Sequence, residues 1–208
     1  MKKILQKNEK ILRLEARDVR LADIKTKKIQ TVLKEMSAAL KSQDDGVAIA
    51  APQIGVSLRI FVIAGKIFAK DFGKKREDEL KAGLPERGLS QGDGPRVSAA
   101  RALADSDLGR GGPAFRDLIF INPKILKLSK EKEWVPEGCL SVRWLYGNTF
   151  RSKKATILAY DEKGKKFQRG ASGLLAQIFQ HETEHLNGIL FTDHAKDIKE
   201  ELPRPNLS

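Results

Sequence analysis

One cysteine, two tryptophans, two tyrosines and three histidines are all that the 208-residue chain holds of those four residue types. A lone cysteine, Cys139, excludes an intramolecular disulfide and agrees with a reducing compartment. No run of about 18 apolar residues occurs, which excludes a membrane-spanning helix and a membrane partner of that kind. The stretch from Met1 to Lys7 becomes charged again too soon to supply the apolar part of a secretory leader, so the protein is expected in the cytoplasm. Aromatic residues make up 6% of the chain. That is too few to predict a stacking platform for single-stranded nucleic acid.

What is present is a 40% hydrophobic chain, enough for one sizeable core, with a net charge of +12. The charge is uneven. Residues 1–45 carry 12 basic and 7 acidic side chains, residues 123–170 carry 12 and 5, and residues 171–208 carry 3 and 6. Such a distribution favours loose attraction to a polyanion, such as a weak electrostatic association with the ribosome, and equally suits a solvated basic surface. Residues 65–114 differ from the rest, holding 9 of the 17 glycines, 10 basic and 8 acidic residues. With few bulky apolar side chains they read as a flexible insertion, with a short helix expected at most over Ala99 to Leu103.

Ile29, Val32, Leu33, Met36 and Leu40 recur at helical spacing and predict an amphipathic helix from Asp23 to Ser42. Asp44-Asp45-Gly46 breaks it. The small-residue run Val47 to Ala51 then ends in the turn-rich Pro52-Gln53-Ile54-Gly55 and leads to a predicted strand over Leu58 to Ala64. Leu118 to Pro123 reads as a strand and turn, and Ile125 to Leu128 as a separate short strand. Ala155 to Tyr160 and Lys166 to Arg169, joined across Asp161-Glu162-Lys163-Gly164, predict a hairpin.

Two of the three histidines fall in Gln180-His181-Glu182-Thr183-Glu184-His185, of the form His-Glu-x-x-His. Residues four apart share a helix face, so His181 and His185 can present both imidazoles to one cation. Glu182 projects about 100° further round the helix, beside the cation, where a carboxylate can take a proton from an activated water. The apolar frame of Leu174, Leu175, Ile178, Phe179 and Leu186 indicates a packed helix rather than a solvated face. A catalytic site of this kind needs a third ligand. The protease pattern that adds a third histidine fails at Phe191, and Glu200 and Glu201 lie too near Pro203 to stand on a following helix. Cys139 in Glu137-Gly138-Cys139-Leu140-Ser141 is the remaining candidate, although a lone cysteine is often only a small buried hydrophobe. Gly138 before it would give the backbone freedom for a ligand turn.

Gly46-Val47-Ala48-Ile49-Ala50-Ala51-Pro52-Gln53, Glu137-Gly138-Cys139-Leu140-Ser141 and Gln180-His181-Glu182-Thr183-Glu184-His185 resemble, in order, the three signature motifs of peptide deformylase. The resemblance covers the chain except for residues 65–114 and the last dozen. It implies one catalytic domain over residues 1–208, interrupted by the insertion. The implied fold is α+β, with mostly antiparallel β-sheets packed around a central helix that carries the metal motif. It also implies a hydrolase that removes the N-formyl group from the N-terminal methionine of nascent polypeptides and releases formate. Cys139, His181 and His185 would bind one divalent metal, Fe(II) in cells, replaceable by zinc, nickel or cobalt. Glu182 would act as general base and then acid, with the Gln53 amide and the Leu140 backbone N–H at the developing oxyanion. Gly46, Val47, Ala48, Val135, Glu137, Leu174 and Ile178 would contact substrate, with Val47, Val135, Leu174 and Ile178 around the methionine side chain. Glu137 and Arg151 would hold the cysteine loop. The chain departs from the family pattern at Ala48, where glycine is usual, at Glu184, where aspartate is usual, at Arg143, where proline is frequent, and in its short C-terminal tail.

Two other readings compete: a His-Glu-x-x-His metalloprotease, and a basic ribosome- or RNA-binding protein with a structural metal. A structural zinc site is closed by four protein ligands, so His194 or an acidic residue completing the sphere would favour the last.

Overall fold

The computed structural model describes residues 2–69, 72 and 116–202. The five-stranded sheet at its centre is antiparallel throughout and is built from β1 (Ala48–Ala50), β2 (Ile60–Ile63), β3 (Leu118–Leu128), β6 (Lys154–Tyr160) and β7 (Lys166–Ser172), in the order β1-β2-β3-β6-β7. Helix α1 (Lys27–Lys41) covers one face and helix α2 (Gly173–Leu186) the other. Alternation along the strands assigns the faces. Ile49, Ile60, Val62 and Ile121 pack with Ile29, Leu33, Met36 and Leu40 of α1. Ala48, Ala50, Phe61, Ile63 and Phe120 pack with Ala176, Ile178 and Phe179 of α2. Burial on both sides is why Ile60-Phe61-Val62-Ile63 is an unbroken apolar run rather than an alternating one. Phe61 and Phe120 stack with centroids 4.5 Å apart, and Phe179 meets Phe120 edge-on at 5.3 Å.

A second antiparallel sheet has the order β4-β5-β8, from β4 (Lys132–Gly138), β5 (Leu145–Ser152) and β8 (Lys196–Glu200). Gln180 of α2 ties it to the helix by bonding both the N–H and the carbonyl of Ser152, at 3.0 Å each. The α+β class and the antiparallel sheets are thus as expected.

Several boundaries differ from the expectation, each for a local reason. Helix α1 starts at Lys27 rather than Asp23, because Leu21–Asp23 forms its own 3-10 turn, closed by a 2.9 Å bond from the Thr26 N–H to the Asp23 carbonyl. The two strands expected either side of Asn122-Pro123 are one. Asn122 adopts φ 50° and its side chain takes the N–H and the carbonyl of Val19, at 2.8 and 2.7 Å, so the presumed turn is a register irregularity within β3. The hairpin β6–β7 runs on to Ser172. The first residues of the segment expected to be a flexible insertion are packed: Gly65–Phe68 is a 3-10 turn, the Gly65 N–H bonds Asp117 at 3.1 Å, and Ile67 and Phe68 pack against the α2 side of the core. The remainder of that segment, with the short helix expected at Ala99 to Leu103, lies outside the described residues.

Candidate metal centre

Helix α2 delivers two of the three candidate ligands. Its apolar residues Leu175, Ala176, Ile178, Phe179 and Leu186 are buried, which turns His181 and His185 inward one turn apart, with ring centroids at 4.8 Å. Gly188 lets the chain leave the helix: its φ is 74°, and a Cβ there would stand 2.7 Å from the Arg13 carbonyl. The third comes from the turn after β4, where Cys139 accepts the Val142 N–H on its carbonyl at 3.1 Å and the Ser141 N–H on its sulfur at 3.4 Å. Gly138 serves a different purpose from the one expected. It lies in the strand, and a Cβ would sit 2.6 Å from the Tyr146 ring, so close approach rather than backbone freedom requires glycine.

The ligand atoms of Cys139, His181 and His185 lie within 4.8 Å of one another, and Cys139 Sγ is 3.1 Å from His185 Nε2. Small side-chain rotations close such a trio on one cation with bonds of ~2.0–2.3 Å. Among the described residues no fourth His, Cys, Asp or Glu joins the group. His194 is instead 3.1 Å from Glu184, so the closed sphere of a structural zinc site is not formed. Phe191, where the protease pattern would need a histidine, is buried with Leu12, Val142 and Leu190, and Glu200 ends a strand rather than standing on a helix.

Electrostatics at the centre follow from burial. Glu182 is buried, Oε2 has no hydrogen-bond partner among the described residues, and desolvation pushes its carboxyl up to about 7. Burial, reinforced by His181, pushes His185 well below the usual imidazole range, keeping it in the neutral form a cation needs. His181 Nδ1 is 2.5 Å from Glu137 Oε1, which leaves Nε2 for a ligand role.

Glu137 is itself gripped. Arg151 reaches it with Nε at 2.9 Å and Nη2 at 2.6 Å, Thr149 Oγ1 at 2.7 Å and Gln177 Nε2 at 3.3 Å. Burial works to raise the Glu137 carboxyl, and His181 and Arg151 outweigh it, holding the group well below the usual carboxylate range. On its other side Arg151 meets both oxygens of Glu184, with Nη2 to Oε2 at 2.7 Å. The longer carboxylate that departs from the family pattern is therefore a partner of Arg151. Thr149 and Gln177 were not singled out from the sequence. Their signal was only periodicity: Thr149 stands two residues before Arg151 on one strand face, and Gln177 one turn before His181.

Gln53, 1% exposed, is oriented by the Ala50 N–H, which donates to its Oε1 at 2.7 Å. Its Nε2 then faces Ser141 Oγ at 3.0 Å and Cys139 Sγ at 3.6 Å. Leu140 is anchored through its carbonyl by Gln6 Nε2 at 3.1 Å. Val47, Ala48, Leu174 and Ile178 belong to one hydrophobic cluster, where the Ala48 methyl is core-packed. Gly46, against Leu40 and Gln43, and Val135, opposite Thr149 on β4, stand outside it. Val135 shares its strand face with Glu137 and so looks toward α2. Arg143 clamps the cysteine turn to the segment before Gly46, bonding Asp45 at 2.5 and 2.9 Å and Gln43 at 3.1 Å.

This arrangement has known counterparts. The family described as polypeptide deformylase matches residues 1–201. Peptide deformylase 2 of Clostridium acetobutylicum is 33% identical over 193 residues, 93% of this chain and 94% of the relative. The peptide deformylase of Borreliella burgdorferi is 30% identical over 194 residues, 90% of each chain. Among solved structures, the Met-Ala-Ser-bound class I type b peptide deformylase from Acinetobacter baumannii superposes with a TM-score of 0.67 at 26% identity, covering 93% of this chain and 98% of that one. With a family match over nearly its whole length and relatives aligned end to end, the chain belongs to the polypeptide deformylase family.

Proposed function

We propose that Cys139, His181 and His185 hold one divalent cation and that Glu182 is the proton-transfer group in the removal of the N-formyl group from nascent polypeptides, the hydrolysis of this metal-dependent family. The observation that carries these assignments is the convergence of one thiol and two imidazoles beside a buried carboxylate whose Oε2 is unpartnered among the described residues. The bound cation supplies Lewis-acid polarisation and activation of the water nucleophile. Glu182 takes the proton of the attacking water and returns it to the departing methionine nitrogen, leaving formate and a free amino terminus. A carboxyl titrating at about 7 is balanced between accepting and releasing that proton near neutrality. The Gln53 amide and the Leu140 backbone N–H donate to the oxygen that gains charge.

Val47, Val135, Leu174 and Ile178 enclose the methionine side chain. Gly46, just before β1, and Ala48 within it offer backbone groups to a peptide laid beside this edge strand. Glu137 fixes His181, and Arg151 fixes Glu137. The cation is Fe(II) in cells, with zinc, nickel or cobalt as substitutes for this soft, mixed ligand set. Residues 1–208 form one cytoplasmic catalytic domain, with an insertion between the paired strands β2 and β3, and its basic surface draws it weakly to the ribosome. No helix among the described residues is long and apolar enough to cross a membrane.

The test is formate release from formyl-Met-Ala-Ser by protein prepared without oxygen. Glu182→Gln should keep its metal and lose ~10²-fold or more in turnover. Full activity in that variant would sink the role of Glu182, and no formate from the metal-loaded wild type would sink the whole reading.

A further inference from the structure

The outer face of the three-stranded sheet carries a feature that deformylation does not use. Trp134 of β4 and Phe150 of β5 are cross-strand partners, so their rings share one face, with centroids 5.1 Å apart and planes at 35°. Both remain half in solvent, 48% and 50% exposed. Lys196 Nζ stands 4.9 Å over the Trp134 ring and Lys132 Nζ 5.7 Å over the Phe150 ring. Tyr146 is two strand periods from Phe150, and Lys199 pairs with it across the β5–β8 ladder, which adds a further ring and cation to the same face. Glu131 and Glu133 are engaged with Lys153, whereas Asp197 bonds Asn148 of this same face at 3.3 Å, and Asp45 and Glu201 border it beside Tyr146.

Exposed aromatic faces interleaved with mobile ammonium groups are what a polyanion with flat bases requires. The rings take the bases, and lysines that now lie over those rings swing out to phosphates. An apolar peptide would leave the lysines unused. The low aromatic content gave no sign of this, because strand pairing concentrates the few aromatics. We propose that the face built on Trp134 and Phe150 and ringed by Lys132, Lys196 and Lys199 binds single-stranded RNA. The site is separate from the metal centre, so formate release reports independently on whether each variant is folded and whether the deformylase reading holds.

The experiment measures fluorescence anisotropy of a labelled oligouridylate of about 12 nucleotides, long enough to span such a face, with heparin as a polyanion without bases. Metal-loaded protein is titrated from about 50 to 200 mM salt. Trp134→Ala or Phe150→Ala should weaken the oligonucleotide ~10-fold and leave heparin binding and formate release unchanged. Lys132→Gln, Lys196→Gln and Lys199→Gln together should weaken both ligands and make the log–log salt slope shallower by about 2, at roughly 0.7 per phosphate contact. Should either alanine variant misfold, Trp144→Phe leaves Trp134 as the only indole, and its emission should quench when the oligonucleotide binds. Aromatic variants that bind RNA like the wild type, or an unquenched Trp134 at saturation, would reduce the face to a simple charge patch and overturn the proposal. So would a wild type that ignores the oligonucleotide, including one that takes up an apolar peptide instead.

Discussion

Replacing Arg151 by methionine tests the ionic chain behind the metal centre. The Arg151 side chain is 5% exposed, and its guanidinium lies between the side chains of Glu137, 4% exposed, and Glu184, 23% exposed. Methionine approximates the volume of the aliphatic stem and removes the charge. Glu137 would keep His181, Thr149 and Gln177, whereas Glu184 would keep only its exposed contact to His194. Removing one member of a buried pair typically costs ~3–5 kcal/mol, because the partner stays buried and uncompensated. The lower end is expected here, since Glu184 can turn partly to water. Against a total stability of ~5–15 kcal/mol the variant should fold but melt early. Urea unfolding with and without chelator separates this loss from any change in metal affinity.

Two companions sharpen the result. Glu184→Gln together with Arg151→Met should cost less than the two single changes added, because no orphaned charge remains at that end. The acid limb should also change. Glu137 is held below its ordinary value of 4.5, so its charge contributes stability that is complete above about 4.5 and drains away as the pH falls further. Arg151→Met should flatten that decline. A loss under about 1 kcal/mol, or strictly additive variants, would refute the view that this chain of charges is mutually supporting.

Cys139→Ala should release the metal under mild chelation while costing only modest stability, and an unchanged metal content would point to a different third ligand. Replacing residues 70–115 by a short Gly/Ser loop should preserve folding and metal content, because Ile63 and Leu118 are already paired at the ends of β2 and β3; a collapsed melting transition would show that the excised segment carries part of the core. Apo-protein reloaded with Fe(II) without oxygen, or with nickel, should release formate faster than the zinc form at matched occupancy, although zinc binds more tightly. A zinc form as fast as the others would refute the iron preference and leave the deformylase activity standing.

Some of this was settled by the chain order of residues alone. His181 and His185 share a helix face whatever surrounds them, because four residues are about one turn, and the apolar residues flanking them, Ile178, Phe179 and Leu186, say which way that face points. Helix α1 was legible for the same reason, and strand β2 as a short unbroken apolar run bounded by turn residues. Strands β4 and β5 carry no apolar-in, polar-out alternation, since their water-facing side holds Trp134 and Phe150 and their buried side Glu137, Thr149 and Arg151, and Asn122-Pro123 looks like a turn until Val19 arrives to satisfy the Asn122 side chain. Tertiary structure alone decided what bridges distant segments. Arg151 meets Glu184 and Glu137 because β5, α2 and β4 converge there, and Trp134 meets Phe150 because a strand register, not a sequence spacing, sets them side by side. Local periodicity is a property of a few consecutive residues and can be read from them; the distance between two side chains far apart in the chain is set by the packing of everything between, and no short stretch contains it.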